Sequence, residues 1–412
     1  MKRTLVLLQQ HCGRMFRKHW KIQGQRVLIV DGALKELKTK GIPFEDANEV
    51  VRDNVETKFE FDSVDFFPPR PVPWDENHPD YNKDPCLKYT DSSVLLGGLD
   101  QAKVFTNSCE MDLDTLPILE HISRTPEPSH ENLVTRCIKS SFLYDATQEK
   151  LPKIKDPERP AFNFPRQYGL TDRRKNLLLG KRLMQLCSSL SPQHLDHHRL
   201  VPGPLKFQAG VQRDDKRILL SNVADFLVTS NKKIKPFIDA TATQKFSLPN
   251  IFPLSQLVSL EAHHFYQFND IFPISENFEK KNVHTVIVHF NKNEVANLYD
   301  TEVTESQFLS RSLMKCYTFA LAQARRIYGE DVIDLPEPLV IQCVHMDGKI
   351  FHFSILQLNT TATHEETTKH NAYWNIPSIS LYETCDYIDG RPELHGYNPR
   401  VFQTLLSFFQ NI

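Results

Sequence analysis

The densest run of apolar positions lies between Leu339 and Leu358, and Asp347-Gly348 interrupts it. An Asp-Gly pair suits a two-residue type I′ turn, whose central residues both take positive φ, so the pattern predicts a β-hairpin. That turn sets Met346 opposite Lys349, Val344 opposite Phe351, Gln342 opposite Phe353 and Val340 opposite Ile355. Side chains alternate along a strand, so Val344, Phe351, Phe353 and Ile355 make one face apolar. Leu339, Ile341, Cys343, Ile350 and Leu356 do the same for the other, with His345, His352 and Ser354 among them. A hairpin apolar on both faces belongs inside a sheet that is covered on each side.

One cover is close in sequence. Thr304-Glu305-Ser306-Gln307 has the capping-box pattern, a hydroxyl at the helix start and Gln three residues on. Leu309, Leu313, Cys316 or Tyr317, Ala320, Ala324 and Ile327 then recur at helical spacing, and Gly329 is the expected αL stop. Ala320, Ala322 and Ala324 allow close approach to a sheet. Further helices are expected near Glu131 to Ala146, from the Thr171-Asp172 cap to Leu190, and from Pro399 to Phe409. Leu205–Gln212 and Arg217–Asn222 flank Arg213-Asp214-Asp215-Lys216 as a second hairpin, and Val283–Phe290 is another β-rich run. Tyr81 to Thr106 reads as a short helix interrupted by Gly97-Gly98. The expected fold is α+β, a mixed or antiparallel sheet of about five strands whose β-hairpins are covered by helices. An extended N-terminal region precedes it.

The first thirty residues carry Lys2, Arg3, Arg14, Arg17, Lys18, Lys21 and Arg26, and no acid precedes Asp31. Leu5–Leu8, Cys12, Met15 and Phe16 interleave with these cations, the pattern of a mitochondrial presequence. The apolar run is too short for a membrane span. Phe66-Phe67-Pro68-Pro69-Arg70-Pro71-Val72-Pro73-Trp74 excludes helix and central strand and favours a polyproline-like path. It is either a linker or a tail laid across a neighbour, with Phe66, Phe67 and Trp74 as protein-binding anchors. The expected division is therefore a presequence at 1–30, an extended region at 31–128 and the α+β domain at 129–412.

The net charge of −2 and ordinary charged fraction do not force disorder. Glycine is scarce, 14 residues in 412, which weakly disfavours folds built on Gly-rich phosphate loops. The eight cysteines are scattered without a Cys-x-x-Cys pair and read as buried free thiols in a reducing compartment. His194, His197, His198 and the pair His263-His264 lack zinc-site spacing. His364-Glu365 and His370 superficially resemble a zinc-protease motif, but the second His falls six residues on where the helix needs four. No Gly-x-Ser-x-Gly, phosphate loop or Gly-x-Gly-x-x-Gly occurs. His352, Cys343, Asp347 and Glu383 are the residual catalytic candidates, each better read as structural. No catalytic residue, cofactor or metal is expected. The best binding candidate is Lys150–Arg182, ten Lys or Arg against three acids. Within it Lys153, Lys155, Arg159, Arg166, Arg173, Arg174 and Lys175, with Phe162, Phe164 and Tyr168 interleaved, could meet phosphates and stack on a base.

Ala322-Gln323-Ala324-Arg325, Tyr328-Gly329, Asp347-Gly348, Phe351-His352-Phe353 and Gln357–Thr361 together resemble the family of the mitochondrial large-ribosomal-subunit protein thirty-seven. Weaker similarity runs through His78–Thr106 and the Phe207–Leu220 hairpin. A sister mitoribosomal family, related to a programmed-cell-death protein, shares the Asp-Gly-Lys-aromatic hairpin and a run like Leu381–Thr384, but lacks the Ala-Gln-Ala-Arg-x-x-Tyr-Gly match. The resemblance implies a non-enzymatic subunit of the large mitoribosomal subunit in the matrix. Its partners would be other large-subunit proteins, especially that sister subunit, and large-subunit rRNA. If 1–30 is removed the charge falls from −2 to −9. Such an acidic chain would sit mainly against proteins, with RNA contact confined to local basic patches. The rival expectation is a matrix RNA-processing or ribosome-assembly factor, or an enzyme.

Overall fold

The computed structural model describes residues 17–19, 21, 32–43, 45, 72–142, 148–151, 153, 156–159, 164–165, 167–192, 198–213, 215–297, 299, 301–362 and 369–411. The chain divides into two units, 1–73 and 74–412. In the first, helix α1 (Gly32–Thr39) buries no residue. Most of the expected presequence, and Phe66 and Phe67, lie outside the described residues.

The second unit is built on a nine-stranded mixed sheet, larger than the five strands expected. Its strands are β1 (Tyr81–Tyr89), β2 (Ser108–Glu110), β5 (His198–Arg213), β6 (Lys216–Ser230), β7 (Glu261–Phe265), β8 (Asn282–His289), β9 (Asp334–Met346), β10 (Ile350–Thr360) and β11 (Asn371–Ser380). The order is β2-β11-β10-β9-β8-β6-β1-β7, with β5 on the far edge of β6. Two short pairs stand apart, β3 (Glu149–Lys150) with β4 (Tyr168–Gly169) and β12 (Thr384–Ile388) with β13 (Arg391–His395). Tyr81–Tyr89 is thus a strand, not a helix. The helix of that region, α2 (Gly98–Phe105), starts at Gly98, where φ is +60°. Because β1 and β2 are strands of the main sheet, the compact unit begins at Trp74, well before residue 129.

Strand β6 holds the sheet together. One edge pairs with β5 through a two-residue loop, and the other is divided between β1 at Arg217–Leu220 and β8 at Phe226–Ser230. After β7 the chain returns to the outer edge of β5, where Gln208 and Ile271 exchange backbone hydrogen bonds of 3.1 and 2.9 Å. Strands β5, β6, β1 and β7 thereby curl on themselves. Pro202, Gly203 and Pro204 in β5 coincide with a register shift and blunt its exposed end.

The β9–β10 hairpin forms, but in a different register. Met346 faces Phe351 and Val344 faces Phe353, because the two loop residues are Gly348 and Lys349. Gly348 has φ +98° and Lys349 is not at positive φ, a II′-like arrangement in which only the first central residue needs glycine. The Asp347 carboxylate tips the choice by accepting from the amides of Lys349 and Ile350 at 2.8 and 2.6 Å. The slip is two residues, so every side chain keeps its expected face.

Both faces are covered, as the apolar pattern requires. On one, Leu339, Ile341, Cys343, Leu356 and Leu358 pack with α2 and α6 (Glu305–Tyr328), whose Leu313–Ala324 stretch is wholly buried. Thr304 and Gln307 complete the capping box. Gly329 ends the helix at φ 94°, ψ 167°, a glycine conformation outside the αL region expected. On the other face Val344, Phe353, Ile355 and Trp374 pack with α4 (Pro128–Ser141), α5 (Asp172–Leu190) and α7 (Pro399–Gln410). The remaining short helix, α3 (Leu119–Ile122), lies beside α7.

Candidate interaction surfaces

Trp74 opens the compact unit and is 70% exposed. Its ring stacks on His78 at 4.3 Å and meets the edge of Phe265 at 5.0 Å. Tyr81 stacks on His264 at 4.8 Å beside them, so His263-His264 lies on strand β7 rather than in a helix or loop. Trp74 and Phe265 rim a cavity of about 670 Å³ at the mouth of the curl, lined also by Lys88, Lys206 and Gln208. Trp74 therefore presents a large apolar surface while its ring is held by His78 and Phe265. Phe252, 86% exposed, is the most exposed large hydrophobic side chain among the described residues. Tyr387 and Ile388 are exposed near the tip of the β12–β13 hairpin.

The basic stretch is partly neutralised from within. Arg173 donates to Glu294 at 3.0 Å, and Lys175 pairs with Asp172 at 2.9 Å while lying over the Phe142 ring. Arg159 is exposed, Lys153 and Arg174 each have an interaction within the chain, and Lys155 and Arg166 lie outside the described residues. The structure brings Arg173, Arg174 and Lys175 together on the first turn of α5, where Thr171 caps the helix by accepting from the Arg174 amide. Lys153 and Arg159 lie upstream of that turn, outside helix α5.

A cleft of about 1110 Å³ lies where parallel strands β8 and β9 end, between the starts of α5 and α6. Its lysines, Lys175, Lys292 and Lys349, are matched by Asp172, Glu302, Glu305 and Asp347. Asn176 donates to His289 Nε2 at 2.8 Å and to the Asp347 carbonyl at 2.6 Å. Burial, reinforced by the nearby Arg173 guanidinium, pushes His289 down to about 4. A neutral imidazole fixed by an amide in a charge-balanced cleft is a packing arrangement, without a nucleophile in hydrogen-bond reach among the described residues.

The remaining catalytic candidates do not converge. Asp347 is spent in the hairpin turn, Glu383 is on the surface, and Cys343 is buried in the α6 face. His352 has an arrangement that mimics a triad. Its Nε2–H donates to Asn375 Oδ1 at 2.7 Å, leaving Nδ1 to accept from the Ser312 hydroxyl, also at 2.7 Å. Asn375 is oriented in turn by donating to Glu110 at 3.3 Å. Ser312 and His352 are both fully enclosed, so no substrate can reach the hydroxyl, and the network serves as a satisfied polar element of the core. Burial pushes His352 down to about 4 from 6.5. The unfolded chain then binds the proton that the folded chain refuses. His352 contributes its full share of stability above pH 6.5 and loses about 3 kcal/mol of it as pH falls to 4. Urea titrations between pH 7.5 and 4.5 are expected to show this loss, with a shallower pH slope in His352→Gln; equal slopes would refute it.

Among the described residues no group of three or more His, Cys, Asp and Glu could hold a metal ion, and no helix is long and apolar enough to cross a membrane. The seven described cysteines are free thiols and six are buried, with burial raising Cys109 to about 11.

Two comparisons bear on this architecture. Residues 269–412, which carry β8, α6, the hairpin and α7, match the family model described as mitochondrial 28S ribosomal protein S30 (PDCD9). Large ribosomal subunit protein mL37 of Rattus norvegicus is 24% identical over 314 residues, covering 74% of this chain and 68% of that protein. The Mus musculus protein of the same name is 26% identical over 311 residues, 73% of this chain and 67% of its own. That of Bos taurus is 33% identical over 145 residues, 35% of this chain and 33% of its own.

Proposed function

We propose that this chain, a homologue of large ribosomal subunit protein mL37 whose carboxy-terminal part matches the PDCD9 model, is a structural constituent of the large subunit of the mitochondrial ribosome. The observation that carries the reading is the similarity to mL37 over about three quarters of the chain. The PDCD9 description names a 28S subunit protein, whereas the relatives matched over most of the chain are named for the large subunit, and their greater coverage supports the large-subunit reading. The fold agrees with a scaffolding role. Buried histidines are satisfied or packed among rings, and the largest exposed side chains are aromatic.

In this reading the protein works in the mitochondrial matrix through contacts with other large-subunit proteins, the sister PDCD9-type subunit among them, and supports mitochondrial translation without catalysing a reaction. Trp74, with Phe66 and Phe67 upstream, supplies aromatic anchors. RNA contact is local. The stretch Lys153–Lys175 contributes to it less than its charge count suggests, because Arg173 and Lys175 already face Glu294 and Asp172.

The test is a sucrose gradient of tagged protein from mitochondrial lysate, with and without EDTA. Co-migration with the large subunit, retained after EDTA separates the subunits, is the expected result. Migration with the small subunit would move the chain to the 28S role that the family description names. Recovery only at the top of the gradient would overturn the ribosomal reading in favour of a matrix processing or assembly factor.

A further inference from the structure

The chain contains two Lys-Lys pairs, Lys232-Lys233 and Lys280-Lys281, forty-eight positions apart and outside the basic stretch. The sheet brings them together. Lys232-Lys233 follows the last residue pairs of β6, Lys280-Lys281 immediately precedes β8, and the register sets Ser230 against Asn282. Asn282 clamps the junction by donating to the carbonyls of Ser230 and Asn231 at 3.3 and 3.0 Å. On the other edge of β6, Thr229 pairs with Arg199, which places a guanidinium at the same end, lying over the Phe278 ring at 5.0 Å. The β-bridge between Ile234 and Val340 pins the segment that continues to Lys235.

The balance of charge separates this cluster from α5. Lys233 is taken by Glu337 at 2.7 Å and Glu276 by Arg326 at 2.6 Å. Among the described residues Lys232, Lys235, Lys281 and Arg199 make no ion pair with a carboxylate, and Glu279 is the acid left among them in sequence. All four cations are exposed. Such excess positive charge on a rigid sheet end costs self-repulsion that no ion pair among the described residues offsets, whereas against phosphates each cation releases a condensed counterion. The geometry points to this end of β5, β6 and β8 as a ribosomal RNA contact that reads the sugar–phosphate backbone, with Lys232, Lys235, Lys281 and Arg199 as the phosphate-facing groups. It rests on the ribosomal reading above and assigns the RNA contact to residues outside Lys150–Arg182.

The experiment titrates the full chain with a fluorescent 20-base-pair RNA duplex at several salt concentrations. A triple variant, Lys232→Glu, Lys235→Glu and Lys281→Glu, is compared with one of equal charge change made elsewhere, Lys83→Glu, Lys216→Glu and Lys292→Glu. All six lysines are exposed, so both variants are expected to fold, as near-ultraviolet circular dichroism would check. The first triple is expected to bind at least tenfold more weakly at 100 mM salt, with the slope of log K against log salt flattened by about 2–3. The control triple keeps most of its affinity. Equal losses in both variants, or no loss in the first, would overturn the assignment, as would a wild-type chain that ignores the duplex and binds an acidic peptide instead. In mitochondria, the first triple should lose ultraviolet crosslinking to RNA while still sedimenting with the large subunit. A wild-type protein absent from the ribosome would instead count against the ribosomal reading, and the duplex titration would still judge the patch.

Discussion

Substituting Asp91 by asparagine should lower the unfolding free energy by about 3 kcal/mol, because Lys315 would keep its burial and lose its counter-charge. Lys315 sits mid-helix in α6 with 1% of its side chain exposed and pairs with the Asp91 carboxylate, while its ammonium also donates to the Val223 carbonyl at 3.2 Å. Asp91 in addition accepts from the Val223 amide at 3.0 Å, so one carboxylate ties the loop after β1 to both β6 and α6. Burial disfavours the charged lysine and the carboxylate opposes it. The penalty in Asp91→Asn should shrink as pH rises, since an unpaired buried lysine sheds its proton. Lys315→Met should cost less, about 1 kcal/mol, because the released Asp91 is 41% exposed and rehydrates. A double-mutant cycle by urea denaturation measures the coupling. A coupling below about 0.5 kcal/mol would show that the pair contributes little.

Trp374→Ala is the second large effect, expected at about 3–5 kcal/mol with loss of the near-ultraviolet signal. The indole is fully buried on β11 in the face covered by α4, α5 and α7, 5.5 Å from Phe237 in an edge-to-face pair. Its Nε1–H donates to Thr115 Oγ1 at 2.8 Å. Thr115→Val retains the volume and strands that donor, so it should cost about 1–2 kcal/mol. Equilibrium denaturation separates the two contributions. A Trp374→Ala loss under about 1.5 kcal/mol would mean that the surrounding core collapses into the space.

What was legible in the sequence follows the range of the interactions involved. The capping box at Thr304 and Gln307, the faces of β9 and β10 and the start of α5 depend on neighbours a few residues away, and each is found where the pattern puts it. The hairpin register was missed because a side chain, Asp347, selects between two turns that the Asp-Gly pair permits equally. Strand β1 was missed because YNKDPCLKY is polar and carries a proline. It survives by parallel pairing with β6 and antiparallel pairing with β7, from partners more than a hundred residues away. Three buried glutamines that fasten loops to helix α2 and to the sheet carried no signal either. Gln101 donates to Gln256 and Val258, Gln208 to Gln267 and Asn269, and Gln357 to Ile238, all at backbone carbonyls. The surface divides the same way. Trp74 stands out by its size, whereas the cation cluster at Lys232 and Lys281 exists only once β6 and β8 are side by side.

The divided edge of β6 also dictates the order in which this protein assembles. The β5–β6 and β9–β10 hairpins close over two-residue loops and form on the microsecond scale, about 1–10 μs for such elements. β6 then waits with its second edge bare, because that edge is completed by β8 further along and by β1 more than a hundred residues earlier. Closing that long segment precedes the contacts that reward it, so docking of β1 is slow relative to the hairpins, and the naked strand is a species prone to stick to another chain. A chaperone that shields Leu219–Val228 until β1 arrives would therefore act at the point where folding and aggregation compete.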